Sequence, residues 1–481
     1  MNRRDRSRSP FASFFRSGGS RYTRMQPAFW ILAGFLLLVF ATGGSSRADV
    51  PLLFVLRPVA ILAGAYGLAT LRRDHVIAYR YLFALAAAIL VLTVIHLVPL
   101  PPVIWERLPG HDLVRAIDAA AGMSGQWRPL SLVPSKTVNA LYALSVPVAT
   151  LILAAQLTIE ERIRILYVLL TLSSVSAIVG LLQAAGIPFS LYHSVSAPQT
   201  IEAAGLFANQ NHQAALLATT IPMLAVMARI GGHRERSTRL LKPLAGAGIA
   251  AIIVLLIVTG SRAGLALGAV ALAFTLFYGL LQVDRLDRMA PRTAMGIRLA
   301  VGLGLAAVAV LVTMLTSRGL ALNRLETLGT DLRPKLWSSI VPILPDFQPW
   351  GSGIGSYVEV YRWYEPMNLL RETYSNHAHN EYLEVALTAG VPGLLLLGFA
   401  SVLLVAVLWR NRRGSEPVTI LARLGAVIIV VYACASATDY PLRTPLLSAV
   451  AVLAATWCTG ARAIRRSRNA GTGSEAEAAA A

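Results

Sequence analysis

Between positions 375 and 384 the chain reads Ser-Asn-His-Ala-His-Asn-Glu-Tyr-Leu-Glu, with two histidines, two amides and two carboxylates just ahead of an apolar run beginning near Ala386. A neutral imidazole accepts a proton from a hydroxyl near neutral pH, which makes His379 the candidate general base. His377, Asn380 and Glu381 stand beside it as candidate ligand contacts. Glu381 or Glu384 is expected to orient the His379 ring, although neither spacing aligns well on a helix. The competing reading makes His379 and Asn380 caps of the helix that follows.

Four arginines are candidates for holding a phosphate, because a guanidinium offers paired donors that match phosphate oxygens. Arg262 lies in Thr-Gly-Ser-Arg-Ala-Gly (259–264), where small neighbours allow close approach of the backbone. An arginine at a membrane helix junction is costly unless it is paired, ligand-bound or snorkelling to the interface. Arg333 opens an amphipathic stretch in Asp-Leu-Arg-Pro-Lys-Leu-Trp (331–337), Arg371 precedes the histidine segment, and Arg443 ends Asp-Tyr-Pro-Leu-Arg (439–443). For these three a structural salt bridge competes with ligand binding. A further polar cluster, Gly-Leu-Phe-Ala-Asn-Gln-Asn-His (205–212), puts Asn209 and Asn211 at a helix start, where capping competes with a substrate contact.

Such groups need a scaffold, and the composition says which kind. Of 481 residues, 56% are hydrophobic and 14% charged, too apolar for a soluble domain. Apolar runs predict about twelve membrane spans, near 28–44, 50–71, 81–100, 137–156, 164–186, 212–228, 243–260, 263–282, 299–316, 386–409, 419–436 and 444–461. The expected fold is therefore all-α, a polytopic transmembrane helical bundle, since backbone in lipid must satisfy its own hydrogen bonds. The net charge of +19 points to the positive-inside rule rather than to nucleic acid, because Lys and Arg collect in every second segment between spans. With the Arg-rich head inside, both termini are cytoplasmic. The first apolar run is expected to be an uncleaved anchor rather than a signal peptide. Cys434 and Cys458 lack any pairing or metal-ligand pattern and are expected to be small core residues.

The chain then divides into a cytoplasmic Arg-rich tail (1–27), spans one to nine (28–316), a large extracytoplasmic loop (317–385), spans ten to twelve (386–461) and a second cytoplasmic tail (462–481). Five of the eight histidines, His111, His193, His212, His377 and His379, fall at or near the extracytoplasmic face. The long loop contains Gly-Ser-Gly-Ile-Gly (351–355) and two amphipathic stretches, 331–344 and 357–363, expected to form short helices. A loop of that length is expected to carry function.

Together these motifs resemble the O-antigen ligase and O-antigen polymerase superfamily of bacterial membrane glycan transferases. The resemblance rests on His379-Asn380 followed after nine residues by Gly390 and Val-Pro-Gly393, on the segments 205–212, 260–264 and 351–355, and on Arg333 with Trp337. It covers roughly residues 127–445, with Trp-Arg-Pro-Leu-Ser (127–131) a weaker echo. Two positions depart from the family pattern: Leu396 stands where its glycine series continues, and Glu202 where many members carry an arginine. Arg333, Arg371 or Arg443 is the candidate replacement for that cation.

The resemblance implies a glycosyltransferase that takes a glycan from undecaprenyl diphosphate and passes it to an acceptor such as lipid A core. Arg262 and Arg333 would hold the diphosphate and His379 would act on the acceptor hydroxyl, at the periplasmic side of the bacterial inner membrane. No cofactor and no metal are expected, the arginines supplying the positive charge. A polymerase of O-antigen or exopolysaccharide is the alternative acceptor chemistry, and a transporter or flippase the alternative of another class. No internal repeat supports the latter.

Overall fold

The computed structural model describes residues 25–187, 189–192, 203–231, 235–280, 333–370, 374–412 and 414–459, with a few isolated positions between 293 and 304. The molecule is a helical polytopic membrane protein. Among the described residues seven helices are long and apolar enough to cross a bilayer, and four shorter apolar helices join them. In chain order these are α1 (Pro27–Thr42), α2 (Leu53–Thr70), α3 (Arg80–Ile95), α4 (Pro134–Ala154), α5 (Ile159–Ala184), α6 (Gln210–Gly231), α7 (Glu235–Val258) and α8 (Arg262–Phe277). After two short helices, α9 (Arg333–Ile340) and α10 (Tyr357–Tyr364), come α11 (Glu381–Arg410), α12 (Pro417–Ser436) and α13 (Pro445–Thr459). Eleven of the twelve expected spans thus coincide with helices, while most of the ninth, 299–316, residues 1–24 and 462–481 of the two tails and His193 lie outside the described residues.

The core is built around α6, which packs on α5, α7, α8 and α12. Small residues set the closest approach: a Cβ on Gly264 of α8 would overlap Ala214 of α6. Small side chains bring membrane helices within packing distance where no hydrophobic drive exists between them. Helix α11 behaves differently, leaving Leu395, Val402 and Val405 outward-facing as lipid-contacting residues. Cys434 is exposed on α12 rather than packed in the core, whereas Cys458 is buried.

Two features outside the bundle position the site. The segment 101–136 folds back on the residues just before it, strand Pro99–Leu100 lying antiparallel to Arg128–Pro129. The Arg128 guanidinium bonds the buried carboxylate of Asp118, and the Leu132 amide donates to Ser352 O at 3.0 Å. The 127–131 motif is thereby tied to the Gly351–Gly355 turn. His96 is buried and accepts a bond from the Ile354 amide at 3.2 Å.

The second feature is a break in α11. Gly390 has φ 57° and ψ −152°, so the helix stops and restarts there. The turn after Pro349 fills the gap: Val391 N donates to Pro349 O at 2.8 Å, Ser352 N to Leu387 O at 2.9 Å and Gly353 N to Thr388 O at 3.0 Å. Backbone groups freed by the break thus find partners, as buried membrane backbone requires. Only glycine fits at 390, because a Cβ there would overlap Pro349 O and the positive φ strains other residues. The nine-residue spacing from Asn380 to Gly390 is the length of helix between the site and this docking turn.

Candidate functional site

The polar groups converge at one end of the bundle, where the loop after α12 carries Asp439, Tyr440 and Arg443. Asp439 is 3% exposed, so its carboxylate needs partners, and three elements supply them. From α6, Asn211 Nδ2 donates to Oδ2 at 2.7 Å and His212 Nε2 lies 3.8 Å from Oδ1. From the segment before α11, His379 Nδ1 lies 3.5 Å from Oδ1. From α9, Arg333 approaches Oδ2 at 3.7 Å. Burial works to raise the Asp439 carboxyl, but the contact with His379 and the charges of His212, His379 and Arg333 outweigh it and hold the group well below the usual carboxylate range.

Tyr440 is the hub for the rings. His377, His379 and His212 surround it at centroid separations of 4.2, 4.9 and 5.1 Å. Its amide donates to Asp439 Oδ1 at 2.9 Å, and Asn209 and Asn376 contact its hydroxyl. Burial, with the nearby Asp439 carboxylate, pushes the phenol up to about 12. Tyr440 is thus neutral and serves as a wall against which the imidazoles stand.

His379 itself has φ 49°, a conformation uncommon outside glycine. Asn380 follows as the N-cap of α11, its Oδ1 accepting from Tyr382 N at 3.0 Å and Leu383 N at 3.1 Å. The capping reading therefore applies to Asn380 and not to His379, whose ring is turned toward Asp439. Neither glutamate orients that ring, contrary to the expectation from sequence. Glu384 instead accepts from Ala378 N at 3.1 Å, contacts His377 Nδ1 at 3.0 Å and pairs with Arg443 at 3.4 Å. Glu381 is bonded by Ser436 Oγ at 3.0 Å and Leu442 N at 2.9 Å, tying α11 to the loop that carries Asp439. The reason is geometric: α11 begins at Glu381, and its first-turn carboxylates are taken up by His377, Ala378, Arg443, Ser436 and Leu442, while His379, outside the helix, turns toward Asp439.

The remaining motifs act through this frame. Asn209 caps α6, accepting from Asn211 N at 2.8 Å, and Asn211 bridges outward by accepting from Ser261 Oγ at 2.7 Å. Ser261 is the N-cap of α8, with Gly264 N donating to its Oγ at 2.9 Å, so the Gly-Ser-Arg-Ala-Gly motif is joined to Asp439 through one amide. Arg262 follows at the first position of α8 with its side chain exposed. Gln183 of α5 grips both backbone groups of Gly205, and Ser176 bonds Gln213 at 2.6 Å, which fixes the approach of 205–212. Trp337 Nε1 donates to Ala378 O at 3.0 Å and so carries Arg333 to the histidine segment.

Of the residues named from sequence, the structure gathers His377, His379, Asn209, Asn211, Arg333 and Arg443 around Asp439, Tyr440 and Glu384. It sets Arg262 one residue from the Ser261 link, and Arg371 lies outside the described residues. Asp439 and Tyr440 were not singled out by the sequence reading, though one signal was present: an acid flanked by two apolar spans, four positions before Arg443.

A polytopic helical membrane protein with histidines and arginines gathered on buried carboxylates at one end of its bundle is the class that fold and site define. The O-antigen ligase family model matches residues 247–398, from within α7 through the Arg333 and His379 segments to the restarted half of α11. Over that stretch the chain is similar to the O-antigen ligase family. No curated protein matches it.

Proposed function

We propose that the protein is a metal-independent O-antigen ligase-like enzyme, transferring a glycan from undecaprenyl diphosphate to an acceptor hydroxyl such as that of lipid A core. The carrying observation is the contact of His379 with a buried carboxylate. Asp439 facing Nδ1 favours the tautomer that leaves Nε2 able to accept a proton, the arrangement by which carboxylates orient catalytic imidazoles. In the proposed step the acceptor O–H gives its proton to His379 Nε2 as its oxygen forms the bond to the anomeric carbon. The bond from that carbon to the carrier's diphosphate oxygen breaks, and the electron pair leaves with undecaprenyl diphosphate.

Arg262 and Arg333 supply the positive charge for this leaving group, with Arg443 beside them and Arg371 a further contributor from the loop. His377, Asn209, Asn211, Asn380 and Glu381 would contact the substrate or brace the cluster. Fixed guanidinium donors aimed at developing charge are worth the most where water is excluded. The proposed orientation places this end of the bundle in the periplasm, with both termini cytoplasmic, because Arg410 and Arg412 stand at the opposite end of α11.

The test is transfer of a carrier-linked glycan by purified protein in detergent with a chelator present, lipid A core and carrier-linked repeats being offered separately. Product on lipid A core, lost in His379→Ala and Arg262→Ala, supports the ligase. Elongated carrier-linked chains would assign a polymerase instead, and no transfer to either acceptor by well-folded protein would overturn both.

A further inference from the structure

We propose that the end of the bundle remote from His379 holds a two-chain phospholipid with an anionic head, its phosphate between Arg80 and Arg410. A cavity of about 1190 Å³ opens between α3, α4, α11 and α13, and its walls are apolar: Leu85, Ile89, Leu404 and Ala451 are representative. Polar side chains gather at one end. Arg80 opens α3 and Arg410 closes α11, and both guanidinium-bearing side chains are exposed. Arg80 also lies over the Tyr81 ring and donates to its hydroxyl at 3.1 Å, which holds the side chain at the cavity mouth. Asn411 adds an amide, and Asp74 is the acid among the lining residues.

Depth argues for a phospholipid. The lining runs from Arg80 to Leu90 on α3, Ala400 to Arg410 on α11 and Ser448 to Thr459 on α13. At 1.5 Å per residue each stretch is roughly 15 Å long, about the depth of a single leaflet of the hydrocarbon core. An acyl chain fits that depth, and a much longer polyprenyl chain does not. Charge fixes the polarity of the occupant: Arg80 and Arg410 are the cations among the lining residues. Basic pockets between membrane helices are the setting in which anionic headgroups are held. Since α3 and α11 pack against each other here, a bound lipid bridges the start of one helix and the end of the other.

The experiment is native mass spectrometry of the full chain released from nanodiscs of phosphatidylglycerol, phosphatidylcholine or an equal mixture, with thermal unfolding alongside. Phosphatidylglycerol should be retained preferentially and raise the unfolding temperature. In Arg80→Ala/Arg410→Ala its affinity should fall by about tenfold or more while phosphatidylcholine is unaffected. Ala451→Phe, which fills the apolar wall, should reduce retention of both lipids. Inorganic phosphate alone should not protect. Equal retention of the two lipids in wild type, or retention that survives both variants, would overturn the proposal by reducing the cavity to ordinary lipid contact. Displacement of phosphatidylglycerol by undecaprenyl phosphate with no effect of the arginine pair would overturn it in favour of the donor's tail. None of these readouts depends on glycan transfer.

Discussion

At the residue scale the decisive group is Asp439, which touches His379, His212, Arg333 and Asn211 while almost wholly buried. Asp439→Asn keeps the size and the acceptor to Asn211 but removes the charge that favours one tautomer of His379. Transfer should fall by roughly 10²-fold or more with the acceptor KM little changed, read from initial rates. The carboxyl is held below its unfolded value, so its stabilising contribution is present above about pH 4 and is lost as pH falls through the folded value. Unfolding temperature in detergent should therefore drop on acidification below about pH 4, and the drop should be smaller in Asp439→Asn. An unaltered acid limb in the variant would show that other carboxylates set it. The contact between Asp439 and His379 spans 60 positions of sequence by residue number, which is why nearness in sequence pointed to Glu381 and Glu384 instead.

At the scale of elements the site depends on how α11 is interrupted and how α9 is attached. Gly390→Ala must either shift the Pro349–Gly353 turn or straighten the helix, because its Cβ meets Pro349 O and its φ is positive. A loss above about 1 kcal/mol is expected, measured as a lower unfolding temperature together with reduced transfer. Trp337→Phe keeps the ring packing and removes one bond to Ala378 O, for a stability cost of about 1 kcal/mol. Because this bond links the arginine helix to the histidine segment, the variant should lose more in kcat than its small stability change accounts for. The motifs around these points were readable from sequence as motifs. Their pairing was not, since Gly351–Gly355 and Gly390 meet through backbone bonds that carry no side-chain signal.

For the whole molecule the prediction is topological. With Cys434 and Cys458 replaced by alanine, single cysteines at Trp363 and Arg412 should be labelled from opposite sides of sealed inner-membrane vesicles by an impermeant maleimide. Labelling of both from one side would sink the proposed orientation, and with it a periplasmic site. The charge pattern makes this expectation, and the fold gives it a structural basis, with His379 and Arg410 at opposite ends of a thirty-residue helix broken once.

Read alone, the sequence showed a helical membrane protein, where most of its apolar helices run and which histidine and arginine segments were worth watching. These follow from composition, hydropathy and local spacing, which act over one helix length. The tertiary structure alone decided that Asp439 and Tyr440 stand at the centre, that Glu384 serves His377 and Arg443, and that Asn380 caps while Asn211 bridges. Each of those outcomes depends on helix packing that brings distant loops to one end of the bundle. In a buried setting a carboxylate takes whichever cations packing delivers, and no local pattern records which those will be.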